Sequence, residues 1–289
     1  MQSRFVIGIG SQRAGSTLLH RVLDASTSVF MHPLKELHYF DTLYGYRSPD
    51  ALKEYSWRQL SREINSIVSA KNFNFINDTY RCYLRSNKLL FAMDIEKIDY
   101  VDLFRPNLRH SSLLGEVTPE YMLMGDESIA RMRETIGRDA AIVLICREPV
   151  ARVLSALKLM NSYNGLSMDN AAAESWLQRM MDDETDWLRA QDGYNSYEQV
   201  IERYSKAFPH FATIAYDELL ETPRLVAARL SSCLDIEIDL GEFENGLKTI
   251  VNDLGSDFSV SAELRDRLVE RYKSSRNFIE SYFHRELHR

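Results

Sequence analysis

Residues 5–23, Phe5-Val-Ile-Gly-Ile-Gly-Ser-Gln-Arg-Ala-Gly-Ser-Thr-Leu-Leu-His-Arg-Val-Leu23, decide how the rest of the chain is read. An apolar run of strand length, Phe5 to Ile9, enters a small polar turn that carries Gly10 and Gly15. Beyond the turn, Leu18, Leu19, Val22 and Leu23 recur at helical spacing. Strand, glycine turn and helix together make an anion site, because free backbone N–H groups and the positive end of the helix dipole converge there. Gly10 to Thr17 matches the phosphate-loop pattern G-x-x-x-x-G-K-[ST], except that Ser16 stands at the lysine position and the nearest cation is Arg13. An enzyme of nucleoside triphosphates needs that lysine on the phosphates and a carboxylate for magnesium. The stretch therefore reads as phosphate-binding without being an ordinary kinase or ATPase loop.

The remaining chain alternates strands with helices. Ala140 to Cys146 is a continuous apolar run, as in a parallel strand covered on both faces. Leu113 onward, Phe211 to Tyr216 and a short piece around Val29–Met31 supply further strands. Helices are expected over 48–72, 126–137, from Val150 to about Met160, over 224–234 and over 261–284. Region 73–110 reads as a further helix or two. Between 169 and 208, helices are parted by a turn at Gln191–Tyr194, and 236–260 reads as loop from Asp239, Gly241, Gly246, Asn252, Gly255 and Ser256. This alternation predicts an α/β fold, a doubly wound parallel sheet between two helical layers. The expected organisation is one domain, 1–289, with a helical insertion around 45–110 on the substrate side.

Composition narrows the function classes. A net charge of −7 over 289 residues argues against wholesale binding of nucleic acid. Cys82, Cys146 and Cys233 are too few and too scattered for a disulfide framework or a zinc site. No apolar stretch approaches the roughly 20 residues of a membrane span, and the N-terminus turns polar too soon for a signal peptide. A cytoplasmic protein without stable membrane insertion is expected; oligomeric state is left open.

Candidate site residues gather at strand ends, where open parallel sheets keep their ligand crevices. Arg147 follows the buried run directly and Pro149 then starts a helix, so a cation is set to meet an anion. Ser155, eight residues on, lies two turns into that helix and adds a hydroxyl. Glu116 and Thr118 fall at the end of the strand that begins at Leu113. Lys35-Glu36-Leu37-His38-Tyr39-Phe40-Asp41 is a dense mixture of charge and aromatics that belongs on the surface or lining a cleft.

These motifs, in this order, resemble the sulfotransferases that use 3′-phosphoadenosine-5′-phosphosulfate (PAPS), in their glycan-type and bacterial branches. Gly-Ser-Gln-Arg-Ala-Gly-Ser-Thr is similar to the family's 5′-phosphosulfate loop, and Val143 to Ser155 to its 3′-phosphate motif with Arg and Ser eight apart. Lys35 to Asp41 resembles K-E-x-H-[FY]-F-D, Gly115 to Pro119 resembles G-E-K-[ST]-P, and Phe211 to Pro223 is similar to the late strand segment. The resemblance implies a P-loop-like fold and metal-free transfer of a sulfonate from PAPS to a hydroxyl, leaving PAP. It implies that Arg13, Ala14, Gly15, Ser16 and Thr17 hold the 5′-phosphosulfate and that Arg147 and Ser155 hold the 3′-phosphate. Glu36 would be the general base, its pKa raised by partial burial to be useful near neutrality. His38 is the alternative base or positioner, Lys35 would stabilise the bridging oxygen or tune Glu36, and Asp41 and Glu116 would orient neighbours or acceptor.

The sequence departs from the family pattern in three places. Arg13 stands where many members have lysine, Val117 replaces the lysine of G-E-K-[ST]-P, and residues 245–262 lack a clear glycine-and-basic nucleotide loop. Acceptors remain a sugar, a lipid-linked sugar or a small natural product. The competing readings are a nucleotide kinase with a degenerate loop, and a binding module without catalysis.

Overall fold

The computed structural model describes residues 3–70, 73, 76–109, 111–163, 170–248 and 260–286. Five strands, β1 (Arg4–Ile9), β2 (Phe30–Met31), β3 (Leu113–Val117), β4 (Ala141–Cys146) and β5 (His210–Ala215), form one all-parallel sheet in the order β2-β3-β1-β4-β5. The helices are, in the first half of the chain, α1 (Ser16–Ser26), α2 (Tyr39–Leu43), α3 (Pro49–Ser69), α4 (Asp78–Ala92) and α5 (Asp126–Ile136). The second half adds α6 (Pro149–Tyr163), α7 (Asn170–Asp182), α8 (Asp186–Tyr194), α9 (Tyr197–Ala207), α10 (Tyr216–Glu221), α11 (Pro223–Leu234), α12 (Leu240–Leu247), α13 (Ala262–Arg271) and α14 (Lys273–Glu286).

Strand alternation sorts the core into two layers. Phe5, Ile7 and Ile9 face the same way as Ile142 and Leu144 and meet Ile129, Met132, Val200 and Tyr204 of α5 and α9. Val6, Val143, Ile145 and Ile214 face the other way, against Leu19 and Val22 of α1, Leu230 of α11 and Phe243 of α12. The sheet is thus covered on both sides, the three-layer α/β architecture that its apolar strands require. With β1 central, the loops after β1, β3 and β4 open on one carboxyl edge, beside the point where strand order reverses. Among the described residues no helix is long and apolar enough to cross a membrane.

Several elements differ from the sequence expectation. Within 236–260, read as loop, α12 forms over Leu240–Leu247, capped by the Asp239 side chain; 249–259 lie outside the described residues. Gly246 is there for proximity: a Cβ on it would sit 3.1 Å from Val22 Cγ1 of α1. The turn placed at Gln191–Tyr194 is instead the last turn of α8, and the chain breaks at Asn195 and Ser196. The stretch before that turn is two helices, α7 carrying Trp176 and α8 carrying Trp187. A short helix, α10, fills the stretch between β5 and α11, and the closing helix is two, parted at Tyr272. The helix expected over 48–72 ends at Ser69, with 71 and 72 outside the described residues.

Candidate active site

The loop after β1 turns on Gly15, whose φ of 98° lies in the left-handed region, and α1 begins without a side-chain cap. Uncapped N–H groups at the first turn are the donors an anion takes. Ala14 is the exception in the expected binding set: its N–H already goes to Ser11 O at 3.0 Å within the loop. A Cβ on Gly15 would meet Tyr216 Cδ2 at 2.6 Å, so the loop lies flat under that ring. The same ring covers Arg147, whose guanidinium carbon is 4.7 Å from its centroid.

The two sequence-predicted halves of the phosphate site come together here. Arg13 Nε donates to Ser155 Oγ at 3.1 Å, and Arg147 Nη1 donates to Arg13 O at 3.1 Å. Tyr197 Oη donates to Arg147 O at 3.0 Å and so steadies the end of β4. Among the described residues no carboxylate pairs with Arg147; Glu148, next to it, caps the Ala151 N–H and pairs with Arg276 at 2.7 Å. A guanidinium at the end of β4, facing the N-terminus of α1 with no carboxylate on it among the described residues, suits the phosphate of a nucleotide.

On the neighbouring rim, the segment before α2 carries the acid–base cluster. Lys35 Nζ lies 2.7 Å from Glu36 Oε1, and His38 Nε2 lies 3.4 Å from Glu36 Oε2. The other ring nitrogen, Nδ1, bonds Asp41 Oδ2 at 2.8 Å, and Asp41 is buried. Burial opposes charge on His38, but the hydrogen bonds to Asp41 and Glu36 and the nearby Glu120 raise its pKa to about 10, making it an imidazolium. For Glu36, burial pushes upward, yet His38 and Lys35 outweigh it and the carboxyl is held below its usual range. The rise expected of this base is therefore reversed, because two cations face it.

Glu116 sits beneath this cluster, fully buried, its oxygens taken by the hydroxyls of Tyr121 at 2.8 Å, Tyr100 at 3.0 Å and Thr118 at 2.6 Å. Tyr121 Oη in turn accepts the N–H of Tyr39, the residue after His38. Glu116 thus holds three hydroxyls around it. Glu120, unassigned from sequence, joins the cluster: Oε2 is 3.9 Å from His38 Nδ1, and Oε1 takes Gln12 Nε2 and Tyr194 Oη at 3.4 Å each. Burial and then the charge of Glu36 raise its pKa. Its sequence signal was position, a carboxyl just past the end of β3. Ligand atoms of Glu36, His38 and Glu120 lie within 4.8 Å of one another, a cation's ligand spacing, and the Lys35 ammonium supplies positive charge at that place.

Backbone strain marks the same residues. Among the described residues the non-glycine positions with positive φ are Arg13 at 68°, Glu36 at 59°, His38 at 51°, Glu184 and Asp235. Three of the five are candidate site residues, and strained side-chain-bearing positions concentrate where geometry serves function.

A family model described as the sulfotransferase family matches residues 5–239. No curated protein matches the sequence. Among solved structures, the chain is similar to a sulfotransferase from Alicyclobacillus acidocaldarius, with a TM-score of 0.60 and 18% identity over 98% of this chain and 96% of that one. It is also similar to the sulfotransferase domain from the curacin biosynthetic pathway, with a TM-score of 0.50 and 16% identity over 95% of this chain and 97% of that one. At these identities the two likenesses speak for the fold.

Proposed function

The chain belongs to the sulfotransferase family, and from that premise we propose that it moves the sulfonate of PAPS to a hydroxyl acceptor by in-line displacement. The observation that carries the donor assignment is the convergence of Arg13, Ser155 and Arg147 on the loop before α1. Arg13, the N–H groups from Gly15 to Thr17 and the hydroxyls of Ser16 and Thr17 bind the 5′-phosphosulfate. Arg147 and Ser155 bind the 3′-phosphate, which ATP lacks.

Glu36 is the general base. It is ionised, so it can take a proton, while His38 is already protonated and serves to hold it. The low basicity of Glu36 comes partly from Lys35 at 2.7 Å. As negative charge gathers on the leaving oxygen, Lys35 turns its ammonium toward that oxygen, and Glu36 gains basicity when the acceptor's proton must leave. Stabilising the leaving group and strengthening the base are then one movement. Val117 leaves the acceptor side with Lys35 and His38 as its nearby cations and with Glu36, Asp41 and Glu120 as its acids. That balance favours a neutral acceptor, such as a sugar, a lipid-linked sugar or a small natural product, over a polyanion.

Calorimetric titration with PAP, with ATP plus magnesium as the control, tests the donor. Tight PAP binding indifferent to magnesium is expected; preference for magnesium-ATP would replace this reading with a kinase.

A further inference from the structure

Arg152, in the first turn of α6, is fully buried and is the bulkiest of the side chains shut off from solvent. A buried charge costs several kcal/mol unless an opposite charge faces it. Among the described residues none pairs with Arg152. Glu148, one turn earlier, is held by Arg276, and Asp192 is held by Arg271 at 2.6 Å. Among the described residues the guanidinium donates to neutral acceptors: Asn195 Oδ1 at 2.7 Å, Gln191 Oε1 and Gln191 O at 3.1 Å each, and Gln12 O at 3.3 Å.

Those acceptors join the two halves of the site. Gln12 belongs to the phosphate loop, beside Arg13. Gln191 and Asn195 bracket Tyr194, whose carbonyl takes Ser11 Oγ at 2.7 Å and whose hydroxyl reaches Glu120, which faces His38. A peptide's carbonyl and the following N–H point opposite ways. Holding Gln12 O therefore fixes the direction of the peptide that leads into Arg13.

We propose that Arg152 is a positioning residue for the donor: its fork locks the phosphate loop to the end of α8, and the phosphates of the bound donor supply the counter-charge that the described residues do not. The inference rests on reading the Gly10–Thr17 loop as the donor site. Lysine, a point charge on a flexible stem, does not span four acceptors as the planar fork does. Methionine keeps the bulk and removes the charge.

The test is calorimetric titration of PAP into the wild type, Arg152→Lys and Arg152→Met. It is paired with amide hydrogen exchange of residues 186–196 in the wild type, with and without saturating PAP. Expected are a Kd raised about tenfold or more in Arg152→Lys and further in Arg152→Met, the scale of a charge-assisted contact, and slower exchange at 186–196 when PAP binds. A structural role alone would lower the melting temperature and leave PAP affinity and the exchange response unchanged. Wild-type affinity in a folded Arg152→Lys, or exchange at 186–196 indifferent to PAP, overturns the proposal alone. Failure of the wild type to bind PAP overturns the donor-site reading and this proposal with it. Should neither variant fold, the exchange response of the wild type decides.

Discussion

Arg13 Nε and Ser155 Oγ meet at 3.1 Å across 142 residues of chain. The contact joins the loop after β1 to the helix after β4, so the sites assigned to the two ends of the donor are physically one.

Arg147→Ala is expected to weaken PAP binding by about 1.5–3 kcal/mol, or roughly 10- to 150-fold. Because Arg13 and Ser155 hold each other, the losses on Arg13→Ala and Ser155→Ala should sum to more than the loss in the double variant. Calorimetry on the singles and the double checks this; strict additivity would mean that the contact carries no coupling.

Glu36→Gln should lower turnover by about a hundred- to ten-thousand-fold, the range for a lost general base, with PAP affinity nearly unchanged. Transfer of radiolabelled sulfonate to an acceptor found by screening measures it. Turnover retained in the variant would remove Glu36 from the base role.

The raised pKa of His38 sets a sign for stability against pH. A group that binds its proton more tightly when folded contributes stability fully below its unfolded value, here the ordinary 6.5, and loses it as pH rises toward about 10. Urea midpoints of the wild type should therefore fall across that window, and those of His38→Gln should fall less. Parallel curves for the two proteins would show that the imidazolium is not held by Asp41 and Glu36.

Gly15→Ala places a methyl at left-handed φ, a cost of about 1–2 kcal/mol, and drives it into Tyr216, the ring that covers Arg147. The expected outcome is a lower melting temperature together with PAP affinity reduced more than about tenfold. Thermal melts and titration on one preparation separate the two effects.

Where the sequence could be read, one chemical feature sufficed. The apolar runs of β1 and β4 have no stable place except inside a covered sheet, and the spacing from Gly10 to Thr17 is what suggested the anion loop that we propose for the donor. Glycine misled where it serves contact instead of turning: Gly246 lets α12 approach Val22, and Gly193 sits inside α8 where a Cβ would lie 3.1 Å from Leu123. Glu120 and Arg152 were not legible as site residues because their partners come from distant elements. On α6, helical periodicity sets Arg152 opposite Val150, Val153 and Leu157, the side a short pattern assigns to solvent. Gln12 from the loop after β1 and Gln191 and Asn195 from the end of α8 close over it.

The left-handed backbone at Arg13, Glu36 and His38 has a consequence for evolution in the laboratory. Asparagine or glycine relaxes such a conformation, so at these three positions the substitutions that ease the chain are the ones that discard the side chains proposed for its chemistry. A library of variants selected for heat resistance alone should drift toward those residues and lose sulfonate transfer as it hardens. Selection on both traits should hold all three in place and gather its gains elsewhere, on exposed faces such as that of α3.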